Sequence, residues 1–138
     1  MQYTRKMGID FGEVRIGIAL SDPLGIIASP YETYKRISLD KDLEHLMQLI
    51  KTNHVDTVVF GLPYQMDGQE GKIAKIVREF AELLEEKTNI KTVFVDERLS
   101  SVEAEEILIN ANVKREDRKM LIDKIAAQII LQAYLERR

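Results

Sequence analysis

The stretch MGIDFGEVRIGIALSD, residues 7–22, constrains the fold of this chain most. Residues in a β-strand point alternately to the two faces of a sheet. A turn near Gly12 would fold the stretch into a β-hairpin, with Ile9 and Ile18 among the bulky apolar residues on one face. The other face would be nearly bare, since it carries Asp10, Arg15 and small residues. We expect this bare face to leave room for something large and charged.

The rest of the chain alternates between helical and strand-like patterns. The expected elements are a third, antiparallel strand over 26–36, a helix over 39–52, a strand over 55–61, a helix over 72–87, a strand over 91–95, a helix from near Ser101 to about Asn110, and a final helix from about 118 to 135. Three meandering strands followed by alternating helices and strands predict an α/β fold with a mixed central sheet flanked by helices. We expect a single domain over residues 1–138, because no linker or repeat is visible.

Composition excludes several classes of protein. There is no cysteine, which excludes a disulfide framework, a thiolate metal site and a thiol nucleophile. The net charge of −3 gives no overall basic footprint, so binding to nucleic acid would need local cations or metal ions. The longest uncharged run, Ile125–Leu135, is too short to cross a bilayer, and no signal peptide is visible. We therefore expect a soluble, cytoplasmic protein with no membrane partner.

Carboxylates occur at three places where the local pattern is apolar. Asp10 is in the middle of a strand, Asp96 and Glu97 follow a buried strand, and Asp123 lies near the apolar face of the final helix. Each acid alone has a structural explanation, as a hydrogen-bond acceptor, a turn residue or a favourable charge near a helix N-terminus. Brought together, they would repel one another unless cations compensate. Two Mg²⁺ or Mn²⁺ ions, bridged by Asp10, would do this and could clamp a phosphodiester.

With these residues in view, the whole chain resembles the YqgF-type family, whose members are described as pre-16S rRNA nucleases or as Holliday-junction-resolvase-like proteins. The resemblance is carried by four ordered blocks: GIDFGEVRIGIALSD, GLPYQMDGQEG, VDERLSSVEAE and IDKIAAQIILQAYL. It implies an RNase H-like fold and metal-dependent cutting of nucleic acid. It also implies a catalytic, metal-binding triad of Asp10, Glu97 and Asp123.

The chain departs from the family pattern in two of these blocks. Glu13 and Val14 stand where the family usually has a threonine and a basic residue, and Gln65 stands where it has asparagine. These changes leave the triad intact. They remove one positive charge near the first hairpin, whereas Arg15 remains.

Four cations are candidate nucleic-acid-binding residues: Arg15, Arg98, Lys114 and Arg115. Arginine binds phosphate through charge-assisted hydrogen bonds. Arg15 and Arg98 could instead form structural ion pairs, and the charged segment 112–119 could be a solvated loop or the entry of a helix.

The implied function is a metal-dependent endonuclease that processes the 5′ end of pre-16S rRNA during ribosome biogenesis. Its partners would be structured RNA and ribosomal particles, and it would be a monomer or homodimer. The alternatives are a resolvase of branched DNA and a non-catalytic RNA-binding assembly factor. An ATP-binding protein with a similar Asp-x-Gly hairpin is a further alternative, although such proteins bind nucleotide between two domains.

Overall fold

The computed structural model describes residues 3–63, 71–96 and 100–137. Its centre is a five-stranded mixed sheet with the strand order β3-β2-β1-β4-β5. The strands are β1 (Arg5–Phe11), β2 (Arg15–Ser21), β3 (Ala28–Lys35), β4 (Val55–Leu62) and β5 (Lys91–Asp96). β1, β2 and β3 pair antiparallel, whereas β4 runs parallel to β1 and β5 parallel to β4.

Four helices flank the sheet, which confirms the predicted α/β architecture. They are α1 (Leu39–Thr52), α2 (Lys72–Thr88), α3 (Ser100–Asn110) and α4 (Arg115–Arg137). The last helix begins at Arg115, about one turn before the predicted start. β3 is an edge strand, as predicted, and its pairing with β2 is irregular where Ala19 faces Pro30. The missing N–H of proline explains that position.

The first face of the sheet carries the larger hydrophobic core. Alternate residues of β1 and β2, among them Met7, Ile9, Ile16 and Ile18, are fully buried there. They pack with the apolar sides of α1 and α2. This is the bulky face that strand alternation predicts for the first hairpin.

The second face, predicted to be bare, is covered by α4. A Cβ atom at Gly17 would overlap the backbone carbonyl of Asp123, and one at Gly8 would lie 2.7 Å from the carbonyl oxygen of Ala127. Glycine removes the atoms that would otherwise hold the helix away from the sheet. The prediction that these glycines leave room for a large charged ligand is therefore wrong for most of this face, where they accommodate a helix.

None of the helices described here is long and apolar enough to cross a membrane.

Candidate functional site

The predicted acids Asp10 and Asp123 both adjoin Gly17, at one end of the sheet and on the face that α4 covers. Asp10 is half-buried near the end of β1 and lies directly across from Gly17 of β2. The backbone of Asp123 packs onto that same glycine. Because paired strands are separated by about 5 Å, Gly17 brings α4 next to Asp10. Residues that are 113 positions apart in the chain (123 minus 10) thus share one site.

Arg15 pairs with one of the two acids. Its Nε donates to Oδ2 of Asp123 at 2.7 Å. The Arg15 side chain is 45% exposed and that of Asp123 is 20% exposed, so solvent reaches this ion pair. Sequence alternation correctly placed Arg15 on the face of Asp10. In the structure Arg15 forms the ion pair with Asp123. A structural ion pair was the predicted alternative to phosphate binding.

β5 ends with Asp96 at the same end of the sheet as Asp10. The parallel register pairs Asp96 with Leu62 of β4, while Phe60 of β4 pairs with Ile9 of β1. Glu97 and Arg98, which follow Asp96 in the chain, lie outside the described residues. Within the described ranges, no three acidic or histidine side chains are close enough to hold a metal ion. A metal site built on Asp10 and Asp123 therefore needs another ligand.

The predicted basic cluster lies at the start of α4. Lys114 precedes the helix and accepts through its carbonyl the backbone N–H groups of Asp117 and Arg118, so it closes the first helical turn. Arg115 is exposed in that turn. Arg118 points back to the preceding loop, where Nη1 donates to the carbonyl of Val113 at 3.2 Å. Lys114 and Arg115 remain accessible to a ligand, whereas Arg118 has a structural contact.

A buried ion pair that the sequence analysis missed supports the hairpin turn after Asp10. Asp42 is fully buried at the start of α1, and Nε of Arg36 donates to its Oδ2 at 2.8 Å. The same guanidinium lies 4.6 Å from the centre of the Phe11 ring. Its Nη1 also makes longer contacts of 3.4 Å with the carbonyls of Gly12 and Glu13. Arg36 thus connects α1 to the turn that follows the strand of Asp10.

The environment of Asp42 keeps it charged. Burial alone would raise the pKa of Asp42, but hydrogen bonds from the Ile37 N–H, Arg36 and Tyr34 outweigh burial and lower it. Burial and the hydrogen bond to Asp42 raise the pKa of the Tyr34 hydroxyl. In the sequence, Asp42 looks like an ordinary acid in a first helical turn. Arg36, six residues earlier in the sequence, is the cation that could have indicated a charged partner for Asp42.

The architecture is an RNase H-like fold. RuvC of T. thermophilus, solved in complex with a Holliday junction substrate, superposes with a TM-score of 0.59 at 12% identity, over 98% of this chain and 96% of that one. The fowlpox virus resolvase, solved with Holliday junction DNA, gives a TM-score of 0.61 at 12% identity over 96% and 97% of the two chains. These similarities establish the fold.

Sequence comparison identifies the family. The profile described as "RuvX: Holliday junction resolvase" matches residues 4–137, and the chain belongs to that family. A protein of Carboxydothermus hydrogenoformans named "Putative pre-16S rRNA nuclease" is 48% identical over 94% of each chain. A protein of the same name from Syntrophomonas wolfei is 49% identical over 96% of this chain and 94% of its own. The predicted family and its enzyme class, a nuclease that hydrolyses phosphodiester bonds, are both confirmed.

Proposed function

We propose that this protein is a metal-dependent endonuclease that cuts structured RNA at the 5′ end of the 16S rRNA precursor. The observation that supports the proposal is that Asp10 and the backbone of Asp123 both adjoin Gly17, at the same end of the sheet. The names of the full-length relatives favour a ribosomal RNA precursor as the substrate. Bacteria make and process that RNA in the cytoplasm, and we propose the same location for this activity.

The donor set suits a hard divalent cation. Asp10 and Asp123 offer carboxylate oxygens, which Mg²⁺ and Mn²⁺ prefer as ligands. Asp123 uses Oδ2 for Arg15, and the Asp123 side chain is partly exposed, so its second oxygen is available to an ion. We propose that Asp10, Glu97 and Asp123 hold two such ions. When bound, the ions supply charge neutralisation at the phosphate and activation of water.

The side chains of the chain itself would orient the substrate. Arg15 fixes the Asp123 carboxylate through Nε, while its exposed guanidinium keeps further N–H donors for a phosphate oxygen. Lys114 and Arg115 lie at the start of α4, the helix that carries Asp123. They would contact the nucleic-acid backbone away from the cut. Arg98 is proposed for the same role from its position beside Glu97 in the sequence.

The direct test is a cleavage assay with purified protein. End-labelled precursor rRNA leader and a four-way DNA junction would be incubated with Mg²⁺, with Mn²⁺ or with a chelator. The Asp10→Asn variant is the test protein, and Asp40→Asn, which changes an exposed acid in α1, is its matched control. We expect metal-dependent cutting of the RNA by the wild-type and Asp40→Asn proteins only. Equal cutting by Asp10→Asn would assign the activity to another site or to a contaminant.

The second candidate is a nuclease that resolves branched DNA. The family description and the junction complexes of both fold neighbours favour it. Resolution needs two symmetric cuts, which are best made by a twofold dimer. Preferred cutting of the four-way junction, together with a dimer in sedimentation on that junction, would establish this candidate. RNA binding without cleavage of either substrate would instead indicate a non-catalytic assembly factor.

A further inference from the structure

Lys35 of the edge strand β3 faces the same side of the sheet as the two acids. Its Cα pairs directly with that of Arg15, and the next matched pair on this face is Thr33 with Gly17. The Thr33 hydroxyl donates to the carbonyl of Met120 in α4 at 3.0 Å, which shows that this row of side chains faces α4. Residues two apart in a strand share a face, so Lys35 continues the row beyond Thr33 toward the end of the sheet.

This geometry places Lys35 beside the catalytic acids. Asp10, Gly17 and Thr33 form one row across β1, β2 and β3, and Arg15 with Lys35 forms the next row. Two strand spacings separate β3 from β1, about 10 Å in total. An ammonium on the flexible Lys35 side chain therefore reaches the space next to the Arg15–Asp123 pair.

Two cations directly opposite each other on paired strands are unfavourable. Arg15 is neutralised by Asp123. Lys35 is exposed, and it makes no ion pair or side-chain hydrogen bond with any residue that the structure describes. In a chain of net charge −3, Arg15 and Lys35 supply positive charge next to the carboxylates of Asp10 and Asp123. A bound anion would supply Lys35 with the counter-charge that Asp123 already gives to Arg15.

We propose that Lys35 binds a backbone phosphate of the nucleic-acid strand, next to the phosphate that is cut at Asp10 and Asp123. This inference rests on the proposed nuclease function and adds a binding residue on β3. The strand would then leave the acids across β2 and over the edge of the sheet, with Arg15 and Lys35 contacting successive phosphates. Lysine acts here as a point charge, so its contact gives affinity without sequence preference.

Lys35 also has a structural explanation, which the test must separate from binding. Lysine on an edge strand prevents the pairing of that strand with another sheet. Loss of such edge protection would affect self-association of the protein. It would not affect the salt dependence of binding to nucleic acid.

The test compares Lys35→Gln with Lys51→Gln, an exposed lysine in the last turn of α1, at the other end of the sheet. Binding of catalytically inactive (Asp10→Asn) protein to the rRNA leader would be measured over a range of salt concentrations. Loss of one phosphate contact should weaken binding and reduce the log–log salt slope by about 1. Lys51→Gln should keep the affinity and slope of its parent. In the active background, Lys35→Gln should raise KM more than it lowers kcat.

An unchanged slope for Lys35→Gln, with binding intact, would overturn the inference and leave the nuclease proposal standing. Self-association of Lys35→Gln in sedimentation, together with an unchanged slope, would assign Lys35 to edge protection. If the parent protein binds neither the leader nor junction DNA, the proposed function itself fails. The two failures are therefore distinguishable.

Discussion

Gly17 connects the two acids of the site through the absence of a side chain. It is the strand partner of Asp10 and the surface onto which the backbone of Asp123 packs. Gly8 has a similar role further along α4, against Ala127 and Leu131. A Cβ at either glycine would meet the backbone or Cβ atoms of α4. The close approach of the helix to the sheet therefore requires glycine at both positions.

Gly17→Ala should therefore destabilise the protein and also impair the site. Inserting a methyl group into a packed contact typically costs about 1–3 kcal/mol. The backbone of Asp123 cannot move away as a flexible side chain could, so the added atom should displace the carboxylate as well. Urea denaturation would measure the loss in the free energy of unfolding, and the cleavage rate would be measured at a temperature where the variant remains folded.

Gly8→Ala is the matched comparison for that variant. A Cβ there would also crowd α4, at 2.7 Å from the Ala127 carbonyl oxygen, but one turn beyond Asp123. We expect it to lower stability while retaining more cleavage activity than Gly17→Ala. Equal activity of the two folded variants would show that the Gly17 contact does not position Asp123.

The sequence predicted which strand residues share a face better than it predicted what packs against that face. The period of two in β1 and β2 correctly placed Asp10 and Arg15 on one face. The same pattern could not say what covers that face, because glycines serve close packing of a helix as well as access of a ligand. The partner of Arg15 is Asp123, which local periodicity cannot identify across a separation of 108 residues.

At the scale of elements, α4 is held to the sheet by polar contacts at its far end. Oε1 of Gln132 accepts the Ala28 N–H at 2.8 Å, and its Nε2 donates to the Ile26 carbonyl at 3.1 Å. Nε2 of Gln128 donates to the Ala28 carbonyl at 3.0 Å. These glutamines satisfy backbone groups at and just before the start of β3, an edge strand of the sheet that the described residues form.

Gln132→Leu should lower the free energy of unfolding by about 1–3 kcal/mol, because the buried Ala28 N–H loses its acceptor. The near-equal size of leucine keeps the packing loss small. Gln48→Leu in α1 is the control, since the Gln48 contact with Thr52 is exposed. Urea denaturation measures both variants. A loss no greater than that of the control would show that the Gln132 contacts contribute nothing to the docking of α4.

Element boundaries show where local signals suffice. Apolar periodicity correctly gave α1 over 39–52 and placed α2 within one residue of its observed end at Thr88. The start of α4 was predicted too late because the charged residues from Arg115 to Lys119 have no apolar periodicity. They are nevertheless acceptable helix formers, and Glu116 and Asp117 suit a first helical turn.

At the scale of the whole molecule, three aspartates in different parts of the described structure have lowered pKa values: Asp22, Asp42 and Asp56. Backbone N–H groups, above all that of Ile27, lower the pKa of Asp22. Burial raises the pKa of Asp56, but hydrogen bonds from Lys6 and Thr4 more than offset it, so the pKa is lowered. The pKa of Asp42 is lowered by the hydrogen bonds described above. Such groups stabilise the fold at pH values above their unfolded pKa, and this contribution is lost as pH falls through the folded pKa.

Stability should therefore decrease below about pH 4, the range of the ordinary aspartate pKa. Asp42→Asn should lose about 1.5–3 kcal/mol at neutral pH, because Arg36 loses a charged hydrogen-bond partner. It should also show a shallower decrease in acid than the wild type. Denaturation between pH 2.5 and 7 would measure both effects, with Asp40→Asn as the exposed control. If the free energy of unfolding of Asp42→Asn falls as steeply in acid as that of the wild type, Asp42 is not among the groups that titrate on unfolding.

The docking of α4 also has a consequence for the order in which the proposed site forms during synthesis. Asp10 is translated among the first residues, but Asp123 lies on α4, and the second face of the sheet is covered only when that helix has emerged. A nascent chain that still has α4 inside the ribosomal exit tunnel lacks one of the proposed metal ligands. Under the proposed function, such a chain cannot assemble the complete metal site until synthesis of α4 is finished and the helix has docked.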